Sequence, residues 1–594
     1  MRVSLARRRV PWWPMIAAGP ALALSLGLSL GPPLSAQAPR VVDDAVLADP
    51  PPGTWVTYGR DYAETHHSPL DQINADTVAR LGPAWSVEVG SQGKLETTPL
   101  VWDGTLYGTS TWSVVYAIDV RTGTLKWKWD PGLVKGGISA GGPRFCCGPV
   151  NRGVALYKGR VYVGLLDGRL VALDAQTGDV AWAVQTTPAG SDYAITGAPR
   201  IARGRVLIGN AGGEYGVRGY LTAYDAETGQ QVWRWYVVPG DPAQGMEDAS
   251  MERAVKTWRG EWWKYGGGGT PWDGITYDPE TNLVFVGTGN GSPWSRDHRS
   301  QGFGDNLYLS SVVALRADTG QYVWHYQTTP GDDWDYNAAQ TMVLAELTID
   351  GRPRKVLMQA PKNGFFYVLD RLTGQFISAA PFARVTWATH IDPKTGRPVE
   401  TPEARYGKKG ARLSPSPVGA HHWPPMAYNP ATGLAYFPGQ ETASNFQIVD
   451  EFAFTPGQWN TGTRLGQAAG TAATAGAPGS AAVPAPAPIP GRRGFFVAWD
   501  PVAQQERWRL DFNPSGGVLS TAGGLIFVGD GGGRFFALDP ATGRTLWEHQ
   551  LLPGVATPVT YEQDGRQFVA VMSGTTNGRV FAFALDATGG KGED

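Results

Sequence analysis

Cysteine is almost absent, with two residues in 594. The two are neighbours, Cys146 and Cys147, so the chain holds no Cys-x-x-Cys redox or zinc motif and no Cys-x-x-Cys-His haem attachment. A charge excess is missing as well. Lys and Arg number 51 against 53 Asp and Glu, a formal net charge of −2, which leaves no basic surplus for nucleic acid phosphates. Histidine is sparse, at eight, and shows no metal-ligand spacing; the pairs His66-His67 and His421-His422 read as structural. No Gly-Lys-Ser or Gly-Lys-Thr follows Gly266-Gly267-Gly268-Gly269, which argues against a phosphate cradle.

What is abundant is Gly (79), Pro (46) and Trp (24), in a chain that is 42% hydrophobic and 18% charged. Coiled coil, collagen and disorder over most of the length are excluded, and a large core is easily supplied. At the N-terminus, Arg7-Arg8-Arg9 precedes an apolar run from Ile16 to Leu30 that ends near Ser35-Ala36-Gln37-Ala38. Basic, apolar and small residues in that order form a secretory signal over residues 1–38, with cleavage expected after Ala38. The run is broken by Pro20 and is shorter than the ~20 residues a bilayer requires, and no later segment is apolar enough to span. The mature chain is therefore expected in an oxidising compartment, the bacterial periplasm.

A block of the form Ala-x-Asp-x-x-Thr-Gly-x-x-x-Trp organises the rest. Clean copies run from Ala117 to Trp127, Ala172 to Trp182, Ala223 to Trp233 and Ala537 to Trp547. The copy from Ala314 to Trp324 has Arg316 for Asp, that from Ala498 to Trp508 has lost its Thr-Gly, and that at Val368-Leu369-Asp370 lacks the Trp. The block describes a hairpin: a strand ends at the Asp, whose side chain caps a turn, Gly takes the left-handed conformation, and a strand returns to Trp. Short strands such as Arg160–Gly164 and Gly524–Gly529 lie upstream. Small sheets at a period of ~40–55 residues are the signature of a β-propeller. Two further strand-turn-strand stretches, at Tyr277 to Thr281 and Tyr428 to Gly433, bring the expected count to eight blades in one all-β domain over residues 39–594, with the Trp of each block wedged between blades. Residues 466–490, built mostly of Ala, Gly, Thr and Pro, read as a flexible surface insertion.

In an exported chain the only intramolecular partner of each cysteine is the other, through a strained ring, since neighbouring Cα atoms lie closer than most disulfides allow. Two buried free thiols are the alternative. The run Phe145-Cys146-Cys147-Gly148-Pro149-Val150-Asn151-Arg152-Gly153, set among tryptophan repeats, closely resembles the quinoprotein alcohol dehydrogenases, which use pyrroloquinoline quinone (PQQ). Further stretches match in order: Leu95-Glu96-Thr97-Thr98-Pro99, Ile195-Thr196-Gly197, Gly212-Gly213-Glu214, Gly269-Thr270-Pro271-Trp272-Asp273, Gly289-Asn290-Gly291, Asp333-Trp334-Asp335-Tyr336 and Pro361-Lys362-Asn363.

The resemblance implies a Cys146–Cys147 disulfide on one face of PQQ and Trp272 on the other, with Glu96, Arg152, Thr196, Gly212, Gly213, Thr270 and Lys362 around its edge. It implies Glu214, Asn290 and Asp335 as metal ligands, with Asp335 also taking the hydroxyl proton of the substrate. An all-oxygen set suits calcium rather than zinc or copper. Lanthanide-using relatives carry a second Asp two residues after the first, where this chain has Asn337, so calcium is the expectation. The implied partners are a small alcohol and a separate cytochrome c or similar acceptor. Departures from the family pattern are His422, where Asn is common, Ser515 before Gly516-Gly517, and the absence of a C-terminal Trp loop after Gly574. A scaffold propeller without chemistry, or a PQQ enzyme for sugars or polymeric alcohols, are the competing readings.

Overall fold

The computed structural model describes residues 40–134, 147–466 and 494–587; the expected signal peptide, Cys146 and all but the first residue of the 466–490 insertion lie outside them. Within the unit Val41–Asp594, the described residues form seven antiparallel sheets of four strands and one of five, besides three smaller ribbons. Six of the large sheets follow one another along the chain, at residues 100–129, 155–185, 200–236, 275–327, 343–381 and 427–510. The seventh, residues 519–550, gains His67–Ser68 as a parallel edge. The eighth joins the two ends: Leu81–Glu88 pairs antiparallel with Arg579–Leu585, which pairs with Arg566–Ser573 and then Val559–Gln563.

The first strands of the sheets, such as Leu100–Trp102, Ala155–Tyr157, Arg200–Ala202 and Leu519–Thr521, are buried at every position. The fourth strands are partly exposed, as in Leu125–Trp129 and Val180–Gln185. These sheets thus run from a buried first strand to a partly solvated last one.

The repeated block folds as its residues require. Asp119 Oδ1 accepts from the backbone N–H groups of Arg121 and Thr122, both at 3.0 Å, and Gly123 then sits at φ +74, where a residue with Cβ is strained. The Trp that closes each block reaches the neighbouring sheet. The indole nitrogens of Trp85, Trp127, Trp182, Trp233, Trp508 and Trp547 donate to the carbonyls of Val120, Ala175, Ala226, Ala317, Pro540 and Leu81 at 2.9–3.2 Å. Each of the first five lies against the block Gly of that neighbour, so a Cβ added at Gly178, for instance, would stand 2.8 Å from Trp127. Trp324 covers Gly374 in the same way. The link through Trp85 is not legible in the repeat, because its strand belongs to a sheet whose other strands are nearly the whole chain away.

One neighbouring pair of sheets has no indole. Ser378 pairs with Val368 where Trp127 pairs with Ala117, and Gln504 stands at the block's Gly position, with φ +53. Gln504 Nε2 donates to Ser378 Oγ at 3.0 Å. The missing Trp of one copy and the missing Thr-Gly of the next therefore face each other.

Candidate functional site

The strand order brings the predicted residues to one end of the sheets. Glu96, Arg152, Thr196, Trp272 and Asp335 each precede the first strand of a sheet, ahead of Leu100–Trp102, Ala155–Tyr157, Arg200–Ala202, Ile275–Asp278 and Val343–Ile349. Glu214, Asn290 and Lys362 each follow the second strand, after Arg205–Gly209, Leu283–Gly287 and Arg352–Gln359. In an antiparallel pair the start of one strand and the end of the next share an end, so successive sheets deliver these side chains to the same side.

At that end lies a run of buried charges. Arg152, only 2% exposed, sets Nη2 2.8 Å from Glu96 Oε2, in an ion pair not aligned as a hydrogen bond. Its Nη1 donates to Thr196 Oγ1 at 2.8 Å, and its Nε lies 3.7 Å from Asp273 Oδ2. Asp273 is 4.0 Å from Arg200, which in turn holds Glu64 at 2.7 Å. The Arg152 guanidinium stands 5.0 Å from the Trp272 ring centroid and 5.8 Å from that of Trp423. His422 stacks on Trp272 at 5.4 Å, with the planes 21° apart. Burial holds the His422 imidazole well below its usual pKa, with Lys362, Arg152, His421 and Lys94 adding to the effect.

Asp335 is buried and left-handed, at φ +65, a strained conformation for a residue with Cβ. Lys362 Nζ donates to its Oδ2 at 2.8 Å and Asn337 Nδ2 to its Oδ1 at 3.0 Å. Burial pushes the Asp335 carboxyl up to about 8, against the pull of Lys362 and with the help of the Glu214 charge. Gln340 Nε2 donates to Asn337 Oδ1 at 3.1 Å, so the amide of Asn337 presents its nitrogen, not its oxygen, to Asp335. Nearby, Asn290 Nδ2 lies 3.2 Å from Glu214 Oε1. Gly213 passes so close that an added Cβ would meet Thr270 Oγ1 at 3.3 Å and the Asn290 amide at 3.6 Å. Gly212, at φ +108, makes the turn.

A cavity of about 260 Å³ opens beside these groups, lined among others by Lys94, Glu96, Cys147, Arg152, His422 and Ser515. Cys147 is disulfide-bonded, and no described cysteine is free. Asp335, Glu214, Asn290, Lys362 and Trp272 are not among the cavity-lining residues. His422 and Ser515, read above as departures from the family pattern, are cavity residues. Lys94 and Arg200 are additions. Lys94 carried a signal, since residues two apart on an extended segment share a side and Glu96 was already assigned; nothing in the sequence marked Arg200. Among the described residues no three His, Cys, Asp or Glu side chains form a metal cluster.

The model for the PQQ-linked glucose, ethanol and alcohol dehydrogenase β-propeller domain matches residues 55–385 and 497–569. The chain belongs to the PQQ-dependent alcohol dehydrogenase family. It is 50% identical to the quinohemoprotein alcohol dehydrogenase ADH IIB of Pseudomonas putida over 92% of this chain and 77% of that one. A solved quinohemoprotein alcohol dehydrogenase from Comamonas testosteroni superposes with a TM-score of 0.86 at 46% identity, over 93% of this chain and 84% of that one. A europium-containing methanol dehydrogenase superposes with a TM-score of 0.81 at 34% identity, over 91% and 99%. The quinoprotein described here is thus an oxidoreductase built on a β-propeller, and the charged end of its sheets is the end where the family's motif residues meet.

That end fits the family's cofactor in kind. Arg152 Nε is a buried donor with no hydrogen-bond partner, and the cavity beside it is lined by Cys147 and the indole of Trp423. Glycine at 213 leaves the approach to Thr270 and Asn290 open.

Proposed function

We propose that this chain is a periplasmic quinoprotein dehydrogenase that oxidises alcohols to aldehydes or ketones with PQQ and Ca²⁺ and passes the electrons to a separate cytochrome c. The observation that carries the reading is the buried Asp335, paired to Lys362 and electrostatically coupled to Glu214. In this reading the eight large sheets are the eight blades of one ring. Cys147 pairs with Cys146, the only other cysteine of the chain, beside the cofactor cavity.

PQQ, when bound, supplies a quinone that accepts a hydride from the carbinol carbon. Trp272 and the cysteine pair would hold it by its faces, and Arg152, Thr196 and Lys362 would meet its polar groups. Glu214, Asn290 and Asp335 supply oxygen donors for a hard cation. Asn337 argues for calcium rather than a lanthanide: held by Gln340, it gives Asp335 a donor, where the second Asp of lanthanide-using relatives would give a further oxygen ligand. Asp335 takes the hydroxyl proton of the alcohol. Lys362 donates to that carboxylate and holds it in place to receive the proton. Periplasmic placement rests on the signal at residues 1–38. The acceptor rests on the cytochrome c in the name of a relative, the 1-butanol dehydrogenase (cytochrome c) of Thauera butanivorans.

The test is reconstitution. Apo-protein given PQQ and Ca²⁺ is expected to reduce a dye in proportion to added primary alcohol, and Asp335→Ala is expected to be inactive while still binding PQQ. Full activity in Asp335→Ala would remove the proposed role of that residue, and an inert reconstituted protein would remove the function.

A further inference from the structure

The two cations assigned to the cofactor are already matched by protein carboxylates. Arg152 faces Glu96 at 2.8 Å and Asp273 at 3.7 Å. Lys362 is bonded to Asp335 at 2.8 Å. Beyond them Arg200 is matched by Glu64 and Asp273, and Glu214 adds a further carboxylate. Counted over this end of the molecule, the paired groups leave no surplus positive charge. A planar tricarboxylate brought into such a site would meet cations whose fields are spent on neighbours, and burying carboxylates without compensation is strongly unfavourable.

Lys94 is the cation here that has no carboxylate bonded to it among the described residues. It lines the cavity together with Glu96 and Arg152, and its Nζ rests 4.8 Å from the centroid of the Trp423 ring. No carboxylate among the described residues forms an ion pair with it. Burial lowers its pKa, the Arg152 charge does the same, and Glu96 pulls the other way; a bound anion would relieve both penalties. Trp423 thus carries two cations on its face, Arg152 and Lys94, and Lys94 is the one that faces the cavity without a carboxylate partner.

We propose that Lys94, seated on Trp423, is a cofactor-binding residue that supplies a charged contact to a carboxylate of the quinone. The assignment rests on the PQQ reading above. It predicts a division of labour: Arg152 and Lys362 orient within paired networks, while Lys94 supplies a cation not committed to a carboxylate.

The experiment is calorimetric titration of full-length apo-protein, in Ca²⁺, with PQQ and with its uncharged trimethyl ester. Lys94→Met is expected to weaken PQQ binding roughly 10–100-fold, the range of one hydrogen bond to a charged group, and to leave the ester unchanged. Lys94→Arg is expected to stay within about threefold of the parent. Equal PQQ affinity in Lys94→Met and the parent overturns the proposal, as does equal loss of acid and ester, which marks a structural role. If Lys94→Met does not fold, Lys94→Arg and Lys94→Gln decide: Gln binding PQQ as tightly as Arg overturns it. A parent protein that binds no PQQ instead sinks the reading of the whole site.

Discussion

At the residue scale, the site is a set of charges that neutralise one another out of water. Asp335→Asn keeps the volume but removes the base; kcat of the PQQ-loaded enzyme is expected to fall by about 10²–10⁴. A second group makes a pH prediction. His66 is fully buried against Tyr58 and Trp55, its two ring nitrogens lack hydrogen-bond partners, and burial lowers its pKa to about 3. The unfolded chain binds a proton at this residue below about 6.5 that the folded chain refuses until about 3. Stability is therefore expected to fall as pH drops through that window, and His66→Phe to flatten the decline, read from urea midpoints at stepped pH. The motif residues of the site were legible in the sequence because their residue types and order match a family. Arg200 and Glu64 were not, because a buried ion pair between distant segments leaves no spacing to read.

At the element scale, the hairpins were legible because each physical requirement has its own letter: Asp to cap, Gly for the left-handed turn, Trp to reach the next sheet. The strand expected at Arg160–Gly164 spans those residues. The pair of departures at Ser378 and Gln504 was visible only as two unrelated losses, since the sequence does not say which copies face each other. The structure makes them one feature with a consequence. Ser378→Trp alone places an indole against the Cβ of Gln504, where at other pairs of sheets such a Cβ would stand 2.4–2.9 Å from the ring. It is expected to destabilise by about 1–3 kcal/mol, and adding Gln504→Gly is expected to recover that loss or more. Urea unfolding of the two single variants and the double variant measures the coupling.

At the scale of the whole molecule, the last sheet is completed by both chain ends. Arg579–Leu585 lies inside that sheet, between Leu81–Glu88 and Arg566–Ser573. Truncation before Arg579 therefore orphans the strand that carries Trp85 and exposes two edges. Such a chain is expected to be recovered mostly in aggregates, with the remainder cut by protease far faster than the parent. Repeat period alone pointed to a propeller, yet this seam was illegible, because Leu81–Glu88 carries no repeat block and its neighbours in the sheet are its most distant neighbours in sequence.

The cavity has a bearing on that seam. Its lining draws Lys94 and Glu96 from just beyond Leu81–Glu88, His422 and Trp423 from the approach to the sixth sheet, and Ser515 from the approach to the seventh. A molecule held among them touches segments on both sides of the place where the chain's beginning and end are joined. Holo-protein should accordingly melt at a higher temperature than apo-protein by an increment that grows with free ligand, so that a thermal scan of a crude extract reports how much of the protein has been loaded.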